Sequence, residues 1–177
     1  LKSSAFVFGP RMTGKSYLLR GLQSRLYVDL LDPQRELELK REPRRFWEEI
    51  TALEKNSLVI VDEVQRIPAL LDYVQKGIEE RGLQFLLSGS SARKLRRGGV
   101  NLLGGRALDR KLHPLTAEEI GGRFDISLAL QYGTLPKPTQ MVLEGRPTEA
   151  RELLRSYYTT YIKEEIQAEA LTRNVGA

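Results

Sequence analysis

The chain has 177 residues, 41% of them apolar and 29% charged, with a net charge of +5 and no cysteine. That length suits one domain with a substantial core, or one domain and part of a second, and the balance excludes a disordered chain. No run nears the ~18 apolar residues of a membrane span, and without cysteines there are no disulfides or thiolate metal sites, as suits a reducing cytoplasm.

The sequence opens on Leu1, with no signal-peptide pattern, and reads as a fragment or a trimmed chain. Apolar Phe6, Val7 and Phe8 form the end of a buried strand. Gly9, Pro10, Arg11, Met12, Thr13, Gly14, Lys15 and Ser16 then match G-x-x-x-x-G-K-[ST], and helix-forming residues from Tyr17 to Arg20 follow directly. Strand, loop and helix in that order make the pattern a phosphate site. Gly9 and Gly14 let successive N–H groups converge on one point, and the helix starting near Gly14 adds its own unpaired donors. Lys15 reaches terminal phosphates, the Ser16 hydroxyl binds Mg²⁺, and Tyr17 closes the set of nucleotide-contacting residues. The rival reading, a turn with an incidental lysine, has to explain four fixed positions and both flanks.

The first helix is expected over 16–23 and a second strand over 26–31, ended by Asp32 and Pro33. Phe46, Trp47, Ile50 and Leu53 place an amphipathic helix over 43–53. Leu58 to Val61 is a short continuous apolar run, as in a strand buried on both faces. A helix over 68–81 carries Leu70, Leu71, Val74 and Ile78 on one face and stops at Gly82. Strands follow at 83–87 and 107–112. Strands alternating with helices imply crossover units, hence an α/β domain built on a parallel sheet.

After Pro114 only helical patterns remain: 116–121, 126–131, and a long one from Pro147 whose apolar stripe runs through Leu153, Leu154, Tyr157, Tyr158, Tyr161, Ile162 and Ile166. Residues 132–147, punctuated by glycine and proline, read as a mobile stretch. We therefore divide the chain into a core at 1–114 and a helical lid or linker region at 115–177. No internal repeat is present.

Asp62 and Glu63 emerge from the buried third strand, where an open α/β sheet keeps its ligands. Asp62 is placed to hold Mg²⁺ through its water shell, and Glu63 to orient or deprotonate an attacking water. A solvated acidic turn is the bland alternative. After the fourth strand, Ser88 and Ser90 are candidates for contact with a γ-phosphate or that water, although serines there are often only turn chemistry. Arg106, behind Gly104 and Gly105, is the first choice for an arginine that meets transition-state charge, with Arg11 and Arg93 behind it. For each, a solvated surface arginine is the competing reading. Basic runs at 93–97 and at Lys40, Arg41, Arg44 and Arg45 suit either a phosphate backbone or a solvated face. His113 has no His or Cys partner and reads as structural. Tyr157, Tyr158 and Tyr161 read as core or interface.

Several blocks carry a resemblance across nearly the whole chain. They are Gly9 to Ser16, Val61 to Pro68, Leu86 to Ser91, Leu103 to Arg106, His113 to Glu119, Tyr132 to Pro136 and Tyr161 to Ile166. The chain resembles the bacterial and archaeal AAA-type ATPases usually followed by a nuclease-like domain of unknown function. The run from Asp62 to Pro68 is the most specific of these. The resemblance implies a P-loop NTPase of the additional-strand type, with a five-stranded parallel sheet in the order 5-1-4-3-2 and a C-terminal helical lid. It implies ATP and Mg²⁺ as cofactors, Glu63 as the catalytic glutamate, Ser90 or a neighbour as a sensor, and Arg106 as a trans-acting or sensing arginine. The family also has a segment before the first strand that helps cover adenine, and neither it nor the nuclease-like domain is in the sequence read here.

The expected function is Mg²⁺-dependent ATP binding and hydrolysis that drives a conformational change. The alternative is a nucleotide-gated binding module for DNA or a protein partner with negligible turnover; assembly as a homo-oligomer is compatible with both, and no membrane is involved. A small kinase is disfavoured by the water-activating Glu63, and a GTPase by the lack of an Asn-Lys-x-Asp motif.

Overall fold

The computed structural model describes residues 3–90, 95 and 103–162. The chain divides into two compact units, Leu1–His113 and Pro114–Ala177. In the first, β1 (Ser4–Phe8), β2 (Leu26–Asp29), β3 (Leu58–Asp62), β4 (Gln84–Gly89) and β5 (Ala107–Lys111) form one sheet. Its order is β2-β3-β4-β1-β5 with parallel pairing throughout. This is the 5-1-4-3-2 order named above, counted from the opposite edge.

Strands β1, β3 and β4 are apolar along nearly their whole length because both sheet faces are covered. Phe6, Phe8, Val59, Val61, Phe85 and Leu87 join one core cluster, and Ala5, Val7, Ile60 and Leu86 join another. The alternation follows from successive side chains pointing to opposite faces. Leu19 of α1 (Lys15–Arg20) packs into the smaller cluster. The larger one takes Leu39 of α2 (Pro33–Arg41), Phe46 and Ile50 of α3 (Arg44–Thr51), and Leu70, Leu71 and Val74 of α4 (Leu70–Arg81). Gly82, at φ 64°, ends α4 in the left-handed conformation that glycine tolerates.

Helix α2 is absent from the sequence reading. Its only apolar residues are Leu37 and Leu39, too few for a stripe. Polar signals define it instead: the Asp32 carboxylate accepts from the Gln34 N–H at 2.9 Å, Pro33 occupies the first turn, and Lys40 pairs with Glu36 one turn back at 2.6 Å.

The second unit holds α5 (Ala117–Ile120), α6 (Ile126–Tyr132), α7 (Pro136–Leu143) and α8 (Pro147–Tyr157), followed by a π-helical turn at Tyr158–Ile162. Helix α7 corrects the expectation of a mobile stretch at 132–147. Its two prolines, Pro136 and Pro138, lie in the first turn, where a missing N–H costs no intrahelical bond. Thr116 and Glu119 form a reciprocal capping box at the start of α5. The rings of Tyr157 and Tyr161 meet at 5.2 Å, tilted by 33°, but Tyr158 is 64% exposed, so the expected apolar stripe is narrower than its sequence. Ile166, at its far end, lies outside the described residues. Among the described residues no helix is long and apolar enough to cross a membrane.

Candidate functional site

The loop between β1 and α1 is held from three sides. Its start passes so close to the end of β5 that a Cβ on Gly9 would lie 2.2 Å from the Leu112 carbonyl oxygen. Gly9 is thus needed for close approach, whereas Gly14, at φ 90°, is needed for its backbone angle. Met12 also has positive φ, at 66°, a feature that no sequence rule would assign to methionine. The Thr13 hydroxyl donates to the Pro10 carbonyl at 2.9 Å.

Lys15 is 5% exposed, and its ammonium donates to the carbonyls of Gly9 and Pro10, both at 2.8 Å. Burial pulls its pKa below the usual lysine value; Glu63 and Asp62 oppose that shift, and Arg11 adds to it. The lysine therefore waits above its own loop, near two carboxylates, with only carbonyl dipoles as direct partners.

Asp62 is fully buried at the end of β3. One carboxylate oxygen accepts from the Tyr27 hydroxyl at 2.9 Å, and the other accepts from the Ser88 hydroxyl. Burial, followed by the neighbouring Asp62 carboxylate, pushes the Tyr27 phenol well above its usual value, so it stays a donor. Ser88 is fully buried as well, and its oxygen also accepts the Glu63 N–H at 2.9 Å. Glu63 takes a left-handed backbone conformation, φ 59° and ψ 46°, where β3 turns sharply into a single 3₁₀ turn at Val64–Arg66. Its carboxylate accepts from the side-chain amide of Gln65.

Arg11, Met12, Gly14, Lys15, Ser16, Tyr17, Leu31, Glu63, Gln65, Arg66 and Ser90 line one cleft of about 600 Å³. The structure thus brings together most of the residues singled out from the sequence. Asp62 lies behind the wall, one residue from Glu63. Ser88 is committed to Asp62 and to the backbone of Glu63, which leaves Ser90 as the described serine at the end of β4 that lines the cleft.

Arg106 is not among these residues. The register pairs Ser4 with Ala107, so Arg106 precedes β5 at the end of the sheet opposite the loop, about 13 Å away along the strands. Its guanidinium pairs with Glu79 on α4 at 2.6 Å. Arg106 therefore stands away from the cleft of its own chain. Arg93 and the basic run at 93–97 lie outside the described residues, except for Leu95, which is buried in the core. In the other basic cluster Lys40, Arg44 and Arg45 are each paired to a glutamate, which offsets the charge a phosphate backbone would need. His113 is exposed.

Sequence reasoning gave no role to Tyr27, Gln65 or Arg66. Gln65 and Arg66 stand inside the block from Asp62 to Pro68 and were legible as part of it. Tyr27 carries no local signal, because only the β2–β3 pairing sets it beside Asp62.

The donor set fits a hydrated Mg²⁺. A carboxylate offers about four lone-pair sites; Asp62 uses two on Tyr27 and Ser88, leaving capacity for metal-bound waters, while Ser16 stands in the first turn of α1.

A family model described as "AAA domain" matches residues 2–121. No curated protein matches the chain. Among solved structures, a DNA replication initiation factor is similar at TM-score 0.46 and 17% identity, over 98% of this chain and 60% of that one. The replication initiator DnaA bound to AMPPCP and single-stranded DNA gives 0.49 and 17%, over 99% and 63%. The Aeropyrum pernix ORC1 protein in complex with DNA gives 0.42 and 15%, over 92% and 55%. The chain therefore spans between 55% and 63% of the length of these three structures.

Proposed function

The chain belongs to the AAA domain family, and from that premise we propose that it binds ATP with Mg²⁺ in the loop–strand cleft and hydrolyses it, coupling nucleotide state to a change of conformation. One observation carries the reading: the glycine-bounded loop, buried Lys15 and Glu63 all line a single cleft of about 600 Å³. Backbone N–H groups of the loop and the start of α1 receive the phosphates. Lys15 exchanges its carbonyl partners for phosphate oxygens. Ser16 and, through water, Asp62 would hold Mg²⁺, which would supply charge neutralisation at the phosphates. Glu63 orients or deprotonates the attacking water, and Ser90 faces the terminal phosphate. Arg11 and Tyr17 flank the bound nucleotide. Arg106, remote from its own cleft, would act on the cleft of a neighbouring copy in a homo-oligomer. The block from Asp62 to Pro68 supports the narrower group of AAA-type ATPases usually followed by a nuclease-like domain.

Titration calorimetry with ATP and Mg²⁺ tests the reading. Wild type should bind and Lys15→Ala should not. Glu63→Gln should bind normally but lose ~10²- to 10⁴-fold in turnover. Absence of binding by wild type, or full turnover in Lys15→Ala, removes the proposal. A nucleotide-gated binding module without turnover, for DNA or a protein, is the second reading. It is favoured by the way the buried Asp62 carboxylate is already held by hydrogen bonds from Tyr27 and Ser88. Binding with no turnover, with or without DNA, would select it.

A further inference from the structure

Gln65 has one end engaged and one end idle. Its amide N–H donates to the Glu63 carboxylate, while its amide oxygen is buried and accepts no hydrogen bond. Buried polar atoms in native proteins are nearly always paired, so an exception calls for a reason. The side chain is seated by more than this contact. A Cβ on Gly89 would stand 2.9 Å from that oxygen, so the glycine at the end of β4 leaves the room that the amide fills. The 3₁₀ turn at Val64–Arg66 and the left-handed Glu63 in front of it set the amide beside the carboxylate. Ser88 fixes the backbone of the same glutamate through its N–H. Both ends of Glu63 are thus held, one by Ser88 and the other by Gln65.

From this geometry we infer that Gln65 is a positioning residue for hydrolysis: it fixes the Glu63 carboxylate in the cleft and takes no part in gripping nucleotide. A base works only within hydrogen-bond reach of the proton it takes, and displacement by 1 Å costs as much as ~10²-fold. A glutamate side chain has three rotatable bonds, and at the cleft the Gln65 amide donates a hydrogen bond to its carboxylate. The inference rests on the ATPase reading above and adds to it the residue that sets turnover independently of affinity.

The test is a double-mutant cycle on the whole chain. Gln65→Leu should lower kcat about tenfold to a hundredfold and leave the ATP dissociation constant within about twofold. In the Glu63→Gln background the same change should cost nothing further, because the group it positions has gone. Gln65→Met, which keeps the length of the side chain, repeats the measurement should the leucine variant fail to fold. A readout without nucleotide is the Gln65 side-chain NH₂ resonance, which should be displaced in wild type and return toward the free-amide position in Glu63→Ala. An unchanged kcat, an equal loss in both backgrounds, affinity falling in step with kcat, or an undisplaced resonance overturns the positioning role alone. Wild type that binds no ATP, or Glu63→Gln with full turnover, overturns the ATPase reading and this role with it.

Discussion

Ser88 is the residue on which the acidic end of β3 depends. Its hydroxyl donates to Asp62 and accepts from the Glu63 N–H, so one side chain satisfies a buried carboxylate and a backbone donor at once. Replacing it with alanine leaves both without that partner where the Asp62 and Ser88 side chains are buried. An unsatisfied buried group costs ~1–3 kcal/mol, more when charged. Ser88→Ala should therefore lose about 2 kcal/mol in urea denaturation, several times the effect of Ser90→Ala at the half-buried cleft wall. Equal losses for the two serines would place the critical hydroxyl elsewhere. Sequence reasoning treated these serines as equivalent because both follow a strand. It is the β3–β4 register, pairing Val61 with Leu87, that brings Ser88 level with Asp62.

Elements form here for two kinds of reason. Strands β1, β3 and β4 announce themselves as apolar runs, whereas α2 exists through its cap and its ion pairs. Helix α4 shows where packing overrides propensity. Gly77 is buried in its interior, where glycine costs about 1 kcal/mol relative to alanine. A Cβ there would meet the Phe85 ring at 3.0 Å and Ile50 at 3.2 Å. Overpacking of that kind costs ~1–3 kcal/mol, more than the propensity gain. Gly77→Ala should lower the melting temperature despite being the better helix former, and a rise would mean that α3 and α4 separate easily. Nothing in the local sequence distinguishes Gly77 from a helix-weakening accident, because its reason lies on β4 and α3.

Across the whole molecule, acid stability follows from carboxylates paired to arginine and lysine. Hydrogen bonds from Arg66, then Lys40, pull the Glu36 pKa from 4.5 down to about 2. Arg35 and Arg45 lower Glu38, and Arg146 followed by Gln140 lowers Glu144. A folded pKa below the unfolded one contributes stability that is complete above the unfolded value and lost as pH falls through the folded value. For Glu36 the window runs from about pH 4.5 to about 2. Glu36→Gln should consequently be less stable than wild type at pH 7 and lose less between pH 5 and pH 3, read as melting temperature; parallel losses would show that the pair contributes nothing. The amino-acid sequence on its own determined the alternation of strands and helices, the glycine-bounded loop and the acidic end of β3, since each is written in neighbouring residues. Tertiary structure alone decided that Tyr27 and Ser88 clasp Asp62, that Gln65 holds Glu63, and that Arg106 stands at the far end of the sheet. Those facts depend on strand order and register, which join residues distant along the chain and leave no mark on the residues beside them.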